Sequence, residues 1–154
     1  MNVKRDIVVF DLDGTLADIT HRLEYLTHET PPHWDPTFDW KAFFRDFEND
    51  IPIPWTVDLA KNLKNKVGMH VAICTGRSEV VKEETIQWLR TIELPYEHLW
   101  MRARDDFRMD EAVKVDLLNP FKERIAFIVD DRRGVSRHLR LHGFHVLQCA
   151  EVDF

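Results

Sequence analysis

Four consecutive apolar residues, Ile7-Val8-Val9-Phe10, run directly into Asp11-Leu12-Asp13-Gly14-Thr15, and this abrupt change of character constrains the fold more than any other feature. A β-branched run without polar alternation is the pattern of a strand covered on both faces, as in a parallel sheet. Acids at the end of such a strand lie on the edge where open α/β sheets bind their ligands. The pattern recurs. His70-Val71-Ala72-Ile73-Cys74 ends in Thr75-Gly76-Arg77, and Ile125-Ala126-Phe127-Ile128-Val129 ends in Asp130-Asp131. Weaker runs occupy His98 to Met101 and Phe144 to Gln148.

Helical spacing fills the intervals. Val57, Ala60, Leu63 and Val67 share one face, and Gly68 sits where a left-handed cap belongs. Val81, Thr85, Trp88 and Leu89 repeat the pattern after Ser78, a candidate N-cap. Val113, Leu117 and Leu118 mark a third helix, stopped by Asn119-Pro120; Val135 and Leu139 begin a fourth, ended by Gly143. Strands alternating with helices predict right-handed crossovers and a Rossmann-like, doubly wound parallel sheet, α/β in class, in a single domain over residues 1–154.

Residues 18–54 break the alternation. Ile19, Leu23 and Leu26 share one helical face, and Trp40, Phe43, Phe44 and Phe47 share another. Thr30-Pro31-Pro32 separates the two and Ile51-Pro52-Ile53-Pro54 closes the segment. This predicts a small helical cap inserted after the first strand, its aromatic stripe forming cap core rather than a base-stacking platform.

Composition narrows the class. A chain of 154 residues, 44% hydrophobic and 31% charged, has enough buried surface for one core. Its apolar runs fall far short of the roughly 20 residues that span a bilayer, and Lys4, Arg5 and Asp6 interrupt any apolar leader, so no membrane partner is expected. The two cysteines, Cys74 and Cys149, lack metal-ligand spacing, which makes a reducing cytoplasm the simplest compartment. A net charge of -6 argues against bulk capture of nucleic acid. Arg102, Arg104 and Arg108, and likewise Arg132, Arg133, Arg137 and Arg140, read either as solvated faces or as a local basic lip. His138 and His142 have i, i+4 spacing, yet no carboxylate or Cys completes a zinc set, and they read as surface residues. Trp34, Trp55 and Trp100 are candidates to border a cleft.

A single Asp at a strand end is as well explained by a turn or a helix cap. Asp11, Asp13, Asp130 and Asp131 together, with Lys114 arriving from the helix before the last acidic pair, are not. Acids gathered on one edge repel unless a metal and an anion lie between them. Asp11, Asp13, Asp130 and Asp131 are hard oxygen ligands suited to Mg²⁺. Asp11 is the candidate nucleophile toward phosphorus, and Asp13 the acid that protonates the leaving oxygen and then activates water. Thr75 and Lys114 are placed to hold the equatorial oxygens, and Gly14 allows the tight turn that presents backbone N–H groups.

With these residues in view, the sequence resembles the haloacid dehalogenase superfamily. Asp11-Leu12-Asp13-Gly14-Thr15-Leu16 is similar to its first motif, Thr75-Gly76-Arg77 to its second, Lys114 to its third and Asp130-Asp131 to its fourth, in order over nearly the whole chain. An acid at position 13 marks phosphatases and phosphomutases in that superfamily. A narrower resemblance is to the 3′-phosphatase domains of bacteriophage polynucleotide kinase–phosphatases. It rests on Leu99-Trp100-Met101-Arg102, on Arg108-Met109-Asp110 leading to Lys114, on Asp130-Asp131-Arg132, and on the closing stretch from Gly143 to Phe154. The resemblance implies Arg22, Gly76 and Arg77 as substrate-phosphate ligands. It implies Asp110 as a substrate-side residue that buttresses Lys114, although Asp110 also reads as a helix N-cap and Arg22 as a solvated residue.

The expected activity is therefore a Mg²⁺-dependent phosphomonoesterase acting through an aspartyl-phosphate on a phosphorylated nucleic-acid end, a terminal 3′-phosphate first, with no obligate protein partner. The alternative substrate is a free nucleoside monophosphate or another small phosphoester, since a long cap can select smaller molecules. A catalytically silent phosphate-binding module would have lost Asp11, Asp13 or Lys114. A receiver-type switch would lack the Asp-x-Asp-Gly-Thr run after its first strand. No Gly-x-x-x-x-Gly-Lys-Ser/Thr loop occurs in the sequence, so no kinase activity is expected of it.

Overall fold

The computed structural model describes residues 4–25 and 46–152. Its centre is β1, Ile7–Phe10, whose four side chains are wholly buried. On one side β1 pairs in parallel with β4 (His70–Ser78), and β4 with β5 (His98–Arg102). On the other side it pairs with β6 (Ile125–Arg132), and β6 with β7 (Val146–Val152), giving the order β5-β4-β1-β6-β7. Between them run α1 (Pro54–Asn62), α2 (Lys82–Thr91), α3 (Asp110–Leu118) and α4 (Arg133–Leu141).

Alternate residues of a strand face opposite sides, and here each side meets a different helix pair. Val8 and Phe10 pack with Val57 and Ala60 of α1 and Trp88 and Leu89 of α2. Ile7 and Val9 pack with Val115 and Leu118 of α3 and Val135 and Leu139 of α4. Each β1 side chain buried this way contributes about 1.5–3 kcal/mol, so a charge at any of these positions would open the sheet. The sheet is parallel and doubly wound, as the apolar runs predict.

The helix ends follow their capping residues. Ser78 Oγ accepts from Val80 N (3.3 Å) at the 3-10 turn that leads into α2. Beyond α1 a wide turn, Leu63–Val67, closes at Gly68 with φ +79°. A 3-10 turn, Asn119–Arg124, follows α3 with Pro120 in its first positions.

Two features differ from the sequence expectation. β4 and β6 run past their apolar stretches, through Thr75–Ser78 and Asp130–Arg132, with register breaks at those polar positions. Extended backbone persists there because polar side chains at the sheet edge find partners of their own. Second, Ala17–Asp18 (β2) and Ile51–Pro52 (β3) form a small antiparallel pair that has no periodicity to betray it. After β2 the chain forms a six-residue 3-10 helix, Thr20–Tyr25, instead of an α-helical turn, and Phe47 lies in another short 3-10 segment, Phe47–Asn49. Ile19 is buried in the core and Leu23 packs against it. Leu26, Thr30-Pro31-Pro32, Trp34, Trp40, Phe43, Phe44, Asp153 and Phe154 lie outside the described residues. Among the described residues no helix is long and apolar enough to cross a membrane.

Candidate active site

The connections diverge between β1 and β6, which opens a crevice at their carboxyl ends. Asp11 N donates to Val129 O (2.9 Å), so the ladder holds Asp11 beside the end of β6. The chain then turns back at Gly14, φ +86°, where Gly14 N donates to Ala17 O (2.8 Å). A β-carbon at Gly14 would be strained and would also collide with the Asp131 carboxylate. At Gly76 the reason for glycine is proximity alone, because a β-carbon would strike Asp110 Oδ1.

Asp11, Asp130 and Asp131 converge here, each buried, with one oxygen from each lying within 4.8 Å of the others. Lys114, buried on α3, places Nζ 2.9 Å from Asp11 Oδ1 and donates to Asp130 Oδ2 at 2.7 Å. Thr15 Oγ1 donates to Asp131 Oδ1 (3.1 Å), while Asp131 Oδ2 is buried and has no hydrogen-bond partner among the described residues. Burial pushes the Asp11 carboxyl up to about 8, with Asp130 and Asp131 adding to the rise and Lys114 opposing it. Burial, then Asp130, pushes Asp131 up to about 6. For Lys114 burial disfavours the ammonium, but Asp11 and Asp130 outweigh it and hold the group above its ordinary value. Three carboxylates around one ammonium are short of positive charge, and an orphaned buried oxygen aggravates the deficit. Such hard donors fit a divalent cation, and Asp11, Asp130 and Asp131 are the residues that can hold it.

Asp13 does not join them. Its carboxylate turns to two buried guanidinium groups: Arg77 Nε donates to Oδ2 (3.0 Å) and Arg22 Nη2 to Oδ1 (2.8 Å). Burial opposes ionisation, yet Arg77 and Arg22 draw the Asp13 carboxyl down to about 2. The ligand role expected of Asp13's side chain alongside the other three acids is therefore not the arrangement found, because paired arginines outcompete an already acidic cluster for a carboxylate.

A residue that the sequence reading passed over completes this second cluster. Asp50 is buried; it accepts from Arg22 Nε on Oδ1 and Arg22 Nη2 on Oδ2 (both 2.7 Å), and from Arg77 Nη2 on Oδ2 (2.8 Å). Burial pushes the Asp50 carboxyl up against the pull of both arginines. Its only sequence signal was an acid directly before the Ile51-Pro52-Ile53-Pro54 run, and loop acids are too common for that to select it.

The remaining candidates surround these clusters. Thr75 is buried and its Oγ1 accepts from Arg77 N (3.2 Å). Asp110 is the first residue of α3, one position past the N-cap, which is Met109. Its carboxylate lies 3.6 Å from Lys114 Nζ, accepts from Arg102 Nη2 (3.3 Å) and pairs with Arg132, the contacts of a buttress with its oxygens already engaged. Arg102 is buried rather than part of an exposed lip. It donates to Gly76 O (2.9 Å), Asp106 O (3.0 Å) and Arg108 O (2.6 Å), tying the second motif to the loop after β5. Arg108 is exposed and paired with Asp106 and Asp116. Trp100 stacks on Phe121 (4.6 Å between rings), whereas Trp55 is exposed. His142, the exposed residue that caps the C-terminus of α4, places Nδ1 2.9 Å from His138 O.

Known proteins share this fold. The chain matches a solved structure described as the Pnkp1/Rnl/Hen1 RNA repair complex at 24% identity and TM-score 0.77, over 96% of this chain and 43% of the other. A second Pnkp1/Rnl/Hen1 complex matches at 24% identity and TM-score 0.76, over 98% and 48%. A haloacid dehalogenase-like hydrolase from Streptococcus pneumoniae matches at 16% identity and TM-score 0.62, over 93% and 83%. The chain thus spans less than half the length of the Pnkp1-complex chains it resembles. The family described as the polynucleotide kinase PNKP phosphatase domain matches residues 5–154. With that match over nearly its whole length, the chain belongs to the PNKP phosphatase-domain family, a phosphatase family of the haloacid dehalogenase superfamily.

Proposed function

We propose that the chain is a Mg²⁺-dependent phosphomonoesterase that removes a terminal 3′-phosphate from nucleic acid. The observation that carries this reading is the contact of Lys114 with Asp11, 2.9 Å, inside a buried three-carboxylate cluster at the sheet's switch point. Asp11 attacks phosphorus, the bond to the ester oxygen breaks, and the leaving oxygen takes a proton from Asp13. Water, deprotonated by Asp13, then cleaves the aspartyl-phosphate. Held by Asp11, Asp130 and Asp131, Mg²⁺ would offset their charge and polarise the phosphoryl group. Lys114 and Thr75 stabilise charge on the transferring oxygens. In the arrangement described Asp13 is ionised on Arg77 and Arg22; its acid role requires it to leave them and take up a proton.

A nucleic-acid end, rather than a free nucleotide, is supported by the family. We also read the chain as one domain with residues 18–54 as an inserted cap, a reading supported by the β2–β3 pairing at the segment's two ends. The two free cysteines suit a reducing cytoplasm. Every group this mechanism uses lies in this chain, so it requires no protein partner.

Phosphate release from 3′-phosphorylated DNA and RNA, compared with nucleoside 5′-monophosphates, with Mg²⁺ and with EDTA, tests the reading. Metal-dependent release from the 3′ ends is the expected result. A strong preference for mononucleotides would overturn the substrate assignment, and turnover undiminished in EDTA would overturn the metal.

A further inference from the structure

We infer that Asp50 is a positioning residue, the fixed counter-ion that holds Arg22 and Arg77 together as one anion-binding pair. The inference rests on the phosphatase reading above and deepens it.

The two guanidinium groups converge on a single oxygen. Arg22 Nη2 and Arg77 Nη2 lie 2.7 and 2.8 Å from Asp50 Oδ2. Like charges approaching this closely, in a site where both arginines are fully buried, need a carboxylate between them. Asp50 answers with a two-pronged contact to Arg22, using Oδ1 and Oδ2, and a third bond to Arg77.

Asp50 is itself fixed from several directions. Its N donates to Phe47 O (3.0 Å), its carbonyl accepts from Trp88 Nε1 (2.9 Å), and Ile51, the next residue, pairs with Asp18 in the small sheet. The Phe47 ring lies 4.9 Å from the Arg77 guanidinium carbon. The described return of the 18–54 segment to the sheet thus supplies the base of the pair, while Asp13 covers its other side.

Asp13 and Asp50 differ in permanence. Asp50's side chain is wholly buried and belongs to a braced turn, whereas Asp13's is one-fifth exposed. Arg77 Nη1, buried and without a hydrogen-bond partner among the described residues, is a donor with bonding capacity still to give. A phosphate oxyanion is the ligand such a pair recognises, taking up the donors that Asp13 relinquishes.

The sign of one measurement separates positioning from simple charge. Deleting a negative charge beside two arginines should strengthen phosphate binding if field alone mattered. Loss of positioning should weaken it instead. Inorganic phosphate binding, measured by calorimetry with Mg²⁺ present, should be about tenfold weaker in Asp50→Asn than in wild type, with Asp50→Glu in between. Hydrolysis of a 3′-phosphorylated oligonucleotide should show the same ranking in KM.

Phosphate affinity equal to or tighter than wild type in Asp50→Asn overturns the inference while leaving the phosphatase reading intact. A wild-type chain that hydrolyses no phosphomonoester overturns that reading and this inference with it. Should Asp50→Asn melt below the assay temperature, Asp50→Glu carries the test: unchanged phosphate affinity there overturns the proposal, and a threefold or greater loss supports it.

Discussion

Asp11 and Asp13 are two residues apart, yet they belong to opposite electrostatic regions. Asp11 shares Lys114 with Asp130, with Asp131 close by, in a cluster short of positive charge, and its carboxyl is pushed by burial up to about 8. Asp13 lies with Asp50 against Arg22 and Arg77, where two cations meet two anions, and is drawn down to about 2 despite burial. The difference teaches that residue type and sequence position say little about protonation; the count of nearby opposite charges decides it. The first region is built to receive a cation, and the second to present paired donors.

The largest effect that would break this contrast is at Asp11 itself. Asp11→Asn should lower turnover on the order of 10³-fold or more, read as phosphate release. The metal-free melting temperature should hold or rise above about pH 8, where the substitution replaces an ionised, crowded carboxylate with a neutral amide. A fully active Asn variant would remove the nucleophile from the acidic region. Next comes Lys114→Met, which leaves Asp11, Asp130 and Asp131 without their buried ammonium. The expected loss is about 3–5 kcal/mol by chemical denaturation in EDTA, and unchanged stability would mean that the cluster does not depend on its cation.

A pH series sharpens the comparison without mutation. Asp11 and Asp131 have raised folded pKa values, about 8 and about 6 against 3.8 for an ordinary aspartate. In metal-free protein their contribution to stability is greatest below the unfolded value and falls as pH climbs through 6 and then 8. Mg²⁺ should therefore raise the melting temperature more at pH 8 than at pH 5.5. Asp13 has the opposite sign: its stabilisation is present above about 4 and lost as pH falls toward 2, with or without Mg²⁺. Equal Mg²⁺ effects at the two pH values would count against the acidic cluster as the cation's site.

Asp13→Asn should cost on the order of 1 kcal/mol, because Asn keeps one acceptor for the arginines while losing the charge. Its turnover should fall much further than its stability. The smallest effect belongs outside both regions. His142→Ala, at the exposed C-terminal cap of α4, should change stability by less than about 0.5 kcal/mol and leave turnover alone; a large loss would reveal a role for the His138–His142 pair.

Local pattern sufficed for the sheet. The runs at β1, β4 and β6 are legible because a strand buried on both faces must be apolar at consecutive positions, and the caps at Ser78 and Gly68 because specific backbone geometry demands specific residues. The alternation of these elements implied the doubly wound order. The two-residue strands β2 and β3 were not legible, since a pair so short has no period to detect. The continuation of β4 and β6 into polar sequence was hidden for a related reason, namely that its partners are distant side chains rather than neighbours.

For the site, sequence alone determined which chemical groups stand at the ends of the central strands, because covalent order places Asp11 after β1, Thr75 in β4 and Asp130 in β6 whatever the rest of the chain does. Tertiary structure alone decided how those charges divide: Asp11 turned to Lys114 and Asp13 to the arginines, with Asp50 brought in from 28 positions beyond Arg22. Coulombic partners are chosen by proximity in space, and proximity between residues so far apart in the chain exists only once the fold has formed.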